Sequence, residues 1–186
     1  MLPLTIAVIL LGQSSTAKQI SDAKAMLKAG VAFANHSKKK SSYMSIGPKW
    51  VKMKTGKEYL DAQGMWRDDV AKVADVYQRN GHVYVVSMTR SSSSGDWNTF
   101  LTCVYREDGS LAICDQMYKA FAPSEGAVET QSIFDAKGKL LKETTKAMDL
   151  KEKKVYSGAK AQDLLAAAKP MLFKLQGLKR ANRLAF

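Results

Sequence analysis

A short motif that occurs three times constrains the fold of this chain more than any other feature of its sequence. Each copy has an aromatic residue, a glycine four positions later and an aliphatic residue two positions after the glycine, and the copies begin at Tyr77, Tyr105 and Phe134. Glycine supplies the positive φ that a tight turn needs, and the flanking apolar residues pack on a sheet face. The motif therefore predicts three successive hairpins, which form a meander of about six antiparallel strands over residues 72–150.

The middle copy holds the only two cysteines of the chain. Its Asp-Gly pair at 108–109 favours a two-residue type I′ turn, because both central residues of such a turn have positive φ. A turn of this kind pairs Tyr105 with Ala112 and Cys103 with Cys114. Directly opposed antiparallel residues lie at a separation that a disulfide accepts, so we predict the disulfide Cys103–Cys114. The alternative is two buried free thiols; a metal site is disfavoured, because no histidines stand near enough to complete a ligand set.

The N-terminal stretch has the features of an export signal. Residues 2–12 are almost entirely apolar and are followed by small residues up to Ala17, although no lysine or arginine precedes them. We expect a signal peptide over residues 1–17 with cleavage after Ala17, and hence a secreted or periplasmic bacterial protein, in a compartment where disulfides persist. The alternative is a buried strand or the start of a helix. The apolar run is too short to span a bilayer, and no later stretch reaches the needed length.

The remaining residues, 18–186, are expected to form a single α+β domain. Apolar residues at three- and four-residue steps predict a helix over 18–35, and the lysine- and serine-rich stretch 36–57 is interpreted as a basic loop with a short extended piece at 50–54. A short helix is expected around 57–70, and the C-terminal segment 158–186 is interpreted as helical. The predicted architecture is an antiparallel meander with an N-terminal and a C-terminal helix packed on it.

The net charge of +12 is concentrated in two places. Residues 36–57 contain seven lysines and no acid, and the C-terminal segment carries a second excess of basic residues. Clustered charge of one sign attracts anionic partners. Tyr43 and Trp50 stand among the lysines and are candidates for aromatic contacts. The anion-binding candidates are Lys38, Lys39, Lys40, Lys49, Lys52, Lys54, Lys57, Lys179, Arg180 and Arg183.

Several kinds of partner fit these basic segments. Lysines interleaved with aromatic residues are typical of sites for single-stranded nucleic acid. An exported protein, however, meets anionic envelope polymers and lipid head groups, so nucleic acid is the poorer candidate. The C-terminal segment also has the composition of an amphipathic helix that lies on a membrane surface. The alternative for both segments is an ordinary solvated surface, with the helix packed on its own sheet.

Motifs that would indicate an enzyme or a cofactor site are missing from the sequence. No HExxH, GxSxG or glycine-rich phosphate loop occurs, and the two histidines, His36 and His82, stand in or beside turns. We therefore predict no catalytic residues, no metal and no cofactor. The leading hypothesis is an exported, non-enzymatic binding or structural domain with an anionic partner. The alternative is a carrier of a small apolar ligand held between sheet and helices.

The hairpin motifs, together with Gly95-Asp96-Trp97 and the residues 108–111, resemble those of uncharacterised bacterial secreted proteins. They are also loosely similar to the short hairpin repeats of MORN-like proteins. The resemblance covers roughly residues 72–150 and implies successive antiparallel hairpins. It brings no family function with it.

Overall fold

The computed structural model describes residues 3–47, 49–92, 94–121 and 125–168, of which residues 3–14 are described as backbone only. They form two helices, α1 (Pro3–His36) and α2 (Gly158–Ala167), and one sheet of eight strands. The strands are β1 (Ser41–Ile46), β2 (Lys49–Lys52), β3 (Val70–Arg79), β4 (His82–Ser91), β5 (Trp97–Tyr105), β6 (Leu111–Ala120), β7 (Gly126–Phe134) and β8 (Leu140–Met148).

The sheet is an antiparallel meander, as predicted, and the α+β class is confirmed. Its strand order is β2-β1-β3-β4-β5-β6-β7-β8, so only β2 departs from sequence order, as an edge strand outside β1. The six expected strands correspond to β3–β8. Residues 18–35 lie in α1, which also includes residues 3–17, where a signal peptide is predicted. Of the predicted helical segment 158–186, α2 accounts for the first part, and residues 169–186 lie outside the described residues.

Two strands arise within residues 36–57, and the sequence did not predict the first of them, β1. The serines of β1 suggested a loop, but Ser42 and Ser45 are buried and hydrogen bonded, Ser42 donating to Asp75 and Ser45 to the carbonyl of Gly47. Tyr43 and Met44 are buried on opposite faces of the strand. The interpretation as a basic loop was therefore wrong for β1, and the extended piece expected at 50–54 overlaps β2: the two strands form a hairpin at the edge of the sheet.

The short helix expected around 57–70 is absent, and the described residues there form turns and one isolated bridge between Leu60 and Trp66. The Asp61 carboxylate accepts hydrogen bonds from the backbone amides of Gln63 and Met65, a local alternative to helical pairing. Gly64 follows with a φ of +78°, which a right-handed helix does not accommodate. This loop packs against Met44, Met53 and Val70.

Each of the three motif hairpins has an irregularity beside its turn. Asn80 and Gly81 both have positive φ (53° and 81°), as a two-residue type I′ turn requires. In the cysteine hairpin only Gly109 does, at 79°, so the predicted type I′ turn at 108–109 was wrong. There the amide of Gly109 donates to the carbonyl of Arg106, and a type I turn is followed by a left-handed glycine.

A bulge compensates for this change of turn. Tyr105 pairs with Leu111 instead of Ala112, and the register shifts by one residue before the next pair. Cys103 therefore faces Cys114 as predicted, and the two form a disulfide with their Cα atoms 4.2 Å apart. Equivalent shifts occur at Tyr77–Gln78 and at Ile133–Phe134.

The two faces of the sheet carry different helices. We call the face under α1 the front face; it includes the cross-strand row Tyr77, Val85, Val104, Ile113 and Ile133. Gly30 lets α1 approach this row closely, because a Cβ there would lie 2.8 Å from a Val104 methyl.

The opposite face, which we call the back face, holds the disulfide and the buried cluster around Tyr43, Met88 and Leu101. Helix α2 packs on the β7–β8 side of this face, where Leu164 is fully buried. Gly126 makes room for it, since a Cβ at that position would lie 2.5 Å from a Leu164 methyl.

Reducing the disulfide should destabilise the domain by about 2–3 kcal/mol, because the short loop that it closes restricts the unfolded chain. Urea denaturation of the oxidised and reduced protein, followed by circular dichroism, measures this difference in the free energy of unfolding. The double variant C103A/C114A is the control and should not respond to reductant. Equal stability of the oxidised and reduced wild type would contradict the prediction.

Candidate functional site

The seven lysines that the sequence analysis names as anion-binding candidates lie on or beside the β1–β2 hairpin at one edge of the sheet, and we call this region the basic edge. It consists of Lys38, Lys39, Lys40, Lys49, Lys52, Lys54 and Lys57. The amide of Met53 donates to the carbonyl of Ser42 over 2.8 Å, so the chain leaving β2 returns to the start of β1. Residues 38–40 therefore meet residues 52–57 at this end, while Lys49 lies at the opposite end, beside the β1–β2 turn.

Most of this charge is not neutralised by the residues that the structure describes. All seven lysines are exposed. Lys40 pairs with Asp75, its Nζ 2.6 Å from Oδ2, and the hydrogen bond to that carboxylate raises the pKa of Lys40. The other six form no ion pair with any residue that the structure describes.

Glu58 fixes the backbone that carries Lys54 and Lys57. Its carboxylate accepts hydrogen bonds from the backbone amides of Lys54, Thr55 and Lys57, at 2.6, 2.8 and 3.0 Å. These bonds, that from Thr55 above all, lower the pKa of Glu58 to about 2. The carboxylate is thus directed at the main chain and forms no ion pair with a neighbouring lysine.

The aromatic candidates do not flank the lysines as expected. Tyr43 is only 2% exposed and belongs to the back-face cluster, so it offers no ring face to an external partner. Trp50 is opposite Ser45 and packs, half-buried, against the same cluster. The alternation of β1 and β2 turns both rings toward the back face, which an interpretation of this stretch as a loop does not reveal. The remaining candidates, Lys179, Arg180 and Arg183, lie outside the described residues.

A cavity that the sequence did not predict lies between two hairpins. The pairing of β4 with β5 ends at Val85–Val104, although both hairpins continue beyond it. The gap between their turns is a cavity of about 360 Å³ that also touches Met26 of α1. Its lining consists of Met26, Arg79, Asn80, His82, Val83, Tyr84, Tyr105, Arg106 and Glu107.

Aromatic and cationic side chains give this cavity its chemistry. The Arg79 guanidinium carbon lies 5.4 Å from the centre of the Tyr84 ring. Arg106 is held in place by hydrogen bonds from its guanidinium to the carbonyls of Leu111 and Phe134, at 2.7 and 2.6 Å. Burial raises the pKa of the Tyr105 hydroxyl, which therefore stays protonated. The cavity is suited to a small molecule with an apolar or planar part.

Within residues 3–168, apart from the gaps given above, no group of three His, Cys, Asp or Glu side chains could hold a metal ion. No helix in that part of the chain is long and apolar enough to span a membrane.

Comparison with known proteins finds no similar family: no family model matches the chain, and neither a curated protein nor a solved structure does so. The resemblance to MORN-like hairpins therefore stays a prediction.

The contribution of Glu58 to stability should depend on pH. Its pKa in the folded chain is about 2, below the ordinary value of 4.5, so its contribution is complete above the ordinary value and is lost as the pH falls through about 2. The wild type should accordingly be more stable than E58Q at pH 7, and the difference should shrink in acid. Carbon-13 NMR of the carboxyl group measures the pKa directly.

The matched control for E58Q is E107Q, which removes another exposed carboxylate. It should change the free energy of unfolding little at any pH. A stability difference between wild type and E58Q that does not vary between pH 7 and pH 2 would contradict the assigned role.

Proposed function

We propose that this protein is an exported, non-enzymatic binding domain that attaches to an anionic polymer or lipid surface through its basic edge. The observation that carries the proposal is the set of six exposed lysines on one sheet edge that form no ion pair with a described residue. The disulfide supports an oxidising compartment, where the accessible polyanions are envelope polymers and lipid head groups.

The position of the lysines favours a partner that is not a peptide strand. An edge strand has unpaired backbone groups that could accept another strand, and exposed lysines on such an edge prevent this pairing. The exposed Lys49 and Lys52 make β2 such an edge. The same lysines remain available to a polyanion, because long flexible side chains reach beyond the backbone to separate anionic groups.

Charge reversal tests this proposal. The variant K38E/K39E/K54E should weaken binding to vesicles that contain phosphatidylglycerol by about a hundredfold, since each lysine near such a surface contributes about 1 kcal/mol. Lys40 is left unchanged because it pairs with Asp75. Cosedimentation with vesicles and with soluble polyphosphate measures the affinity, and binding should be lost in about 0.5 M salt, where exposed charges are screened.

The matched control is K137E/K139E/K142E, which changes the net charge equally at exposed positions of the β7–β8 hairpin. It should bind only slightly less well than the wild type. If both variants lost the same amount of binding affinity, overall charge alone would explain the effect and the proposal would be overturned. Binding that is unchanged in high salt would also overturn it.

A second candidate function is carriage of a small ligand, which the cavity between α1 and the two hairpins favours. Its volume falls within the range of small-molecule sites. The substitution M26W should fill the cavity and weaken binding of the fluorescent probe anilinonaphthalene sulfonate about tenfold. M65W is the control, because Met65 is 61% exposed and lies elsewhere. Unchanged binding to M26W would exclude this cavity as a ligand site.

A further inference from the structure

A row of side chains across the back face contains two adjacent cations and no acid. Ser45 pairs with Lys72, and Arg90 pairs with Thr99, which in turn pairs with Tyr118. Lys72 and Arg90 each lie one residue beyond the pair formed by Val73 and Thr89, so they share the back face. Because neighbouring strands are about 4.8 Å apart, the two basic side chains start from adjacent positions.

No residue that the structure describes neutralises these two cations. Neither Lys72 nor Arg90 forms an ion pair with any described residue. Partial burial lowers the pKa of Lys72, and the charge of Arg90 lowers it further. Like charges at adjacent cross-strand positions are unfavourable for the sheet. An anion bound between them would remove this repulsion.

Aromatic and apolar residues lie beside the guanidinium of the exposed Arg90 side chain. The Arg90 guanidinium carbon lies 5.1 Å from the centre of the Trp97 ring, which itself lies 6.2 Å from the ring of Tyr118. On the other side, the neighbouring positions of β4 and β5 are Met88 and Leu101, both buried. Lys72 is partly buried, and a charged hydrogen bond to a partly desolvated group is stronger than one in open solvent.

We propose that Lys72 and Arg90 form a binding site for a phosphate group, with Trp97 as the wall against which the guanidinium is held. An arginine fork matches the oxygen geometry of phosphate, and a neighbouring lysine adds the second positive charge. The phosphate comes from a free phosphate compound or from a lipid head group. This site uses none of the basic-edge residues, and it lies on the back face instead of the sheet edge.

Two-dimensional ¹H–¹⁵N NMR of the full chain tests the site with inorganic phosphate, titrated against chloride at constant ionic strength. The indole signal of Trp97 and the Nε–H signal of Arg90 should shift and saturate. In K72M/R90M the affinity should fall about tenfold or more. The control K139M/K142M removes two exposed lysines that form no ion pair with a described residue and should retain wild-type affinity.

A second arm uses vesicles of phosphatidylglycerol in phosphatidylcholine, compared with phosphatidylcholine alone. Saturable binding of inorganic phosphate that K72M/R90M loses supports the site and identifies a free phosphate group as sufficient. Binding only to the anionic vesicles, lost in K72M/R90M and kept in K139M/K142M, supports it with a lipid head group as the source.

Other outcomes overturn the site. They are a wild type that shows neither response, and phosphate binding that persists in K72M/R90M. If K72M/R90M does not fold, the phosphate titration of the wild type decides the outcome, through the signals of Trp97 and Arg90. The variant K38E/K39E/K54E should keep its phosphate affinity, so failure of the basic-edge proposal and failure of this one are distinguishable.

Discussion

The register of the three motif hairpins is the constraint on which the rest of the structure depends. Side chains alternate between the faces of a strand, so a slip of one residue would exchange the front and back faces. In the cysteine hairpin the three-residue turn between Arg106 and Ser110 shifts the register by one residue, and a bulge beside Tyr105 restores it. The correction keeps Cys103 opposite Cys114 on the back face and Val104 opposite Ile113 beneath α1. The disulfide and the helix packing both require this alternation.

Much of this architecture could be predicted because hairpins are encoded locally. A glycine and its flanking residues specify each turn, and the spacing between copies specifies strand length. The turn type at 108–109 could not be predicted, because Asp-Gly fits both a type I′ turn and a type I turn with a following bulge. Strand β1 was missed for another reason. Its serines suggest a loop until Asp75, thirty-three residues away, is seen to accept a hydrogen bond from Ser42.

The features of the candidate site likewise could be predicted where they are local in sequence and could not be where they depend on long-range contacts. The lysines of the basic edge are evident from composition, since they are close in sequence. The neutralisation of Lys40 is not evident from composition, because its partner, Asp75, lies on β3. Composition likewise does not reveal that Tyr43 is buried, so that its ring is not accessible to a partner. The proximity of Lys72 and Arg90 could not be predicted from the sequence, because residues eighteen positions apart become neighbours only through the β3–β4 register.

The three candidate binding regions share a physical origin in the limits of sheet pairing. Within a meander each central strand satisfies its backbone groups with two neighbours, and its side chains pack on the helices or on one another. Backbone and side-chain groups that could bind a ligand are therefore left at the places where strand pairing or helix packing ends. The basic edge lies beside β2, which has a single neighbour. The cavity opens where β4 and β5 stop pairing at Val85 and Val104. Lys72 and Arg90 lie just beyond the first pair of β3 with β4, where the apolar cluster gives way to charge that no described residue balances in an ion pair.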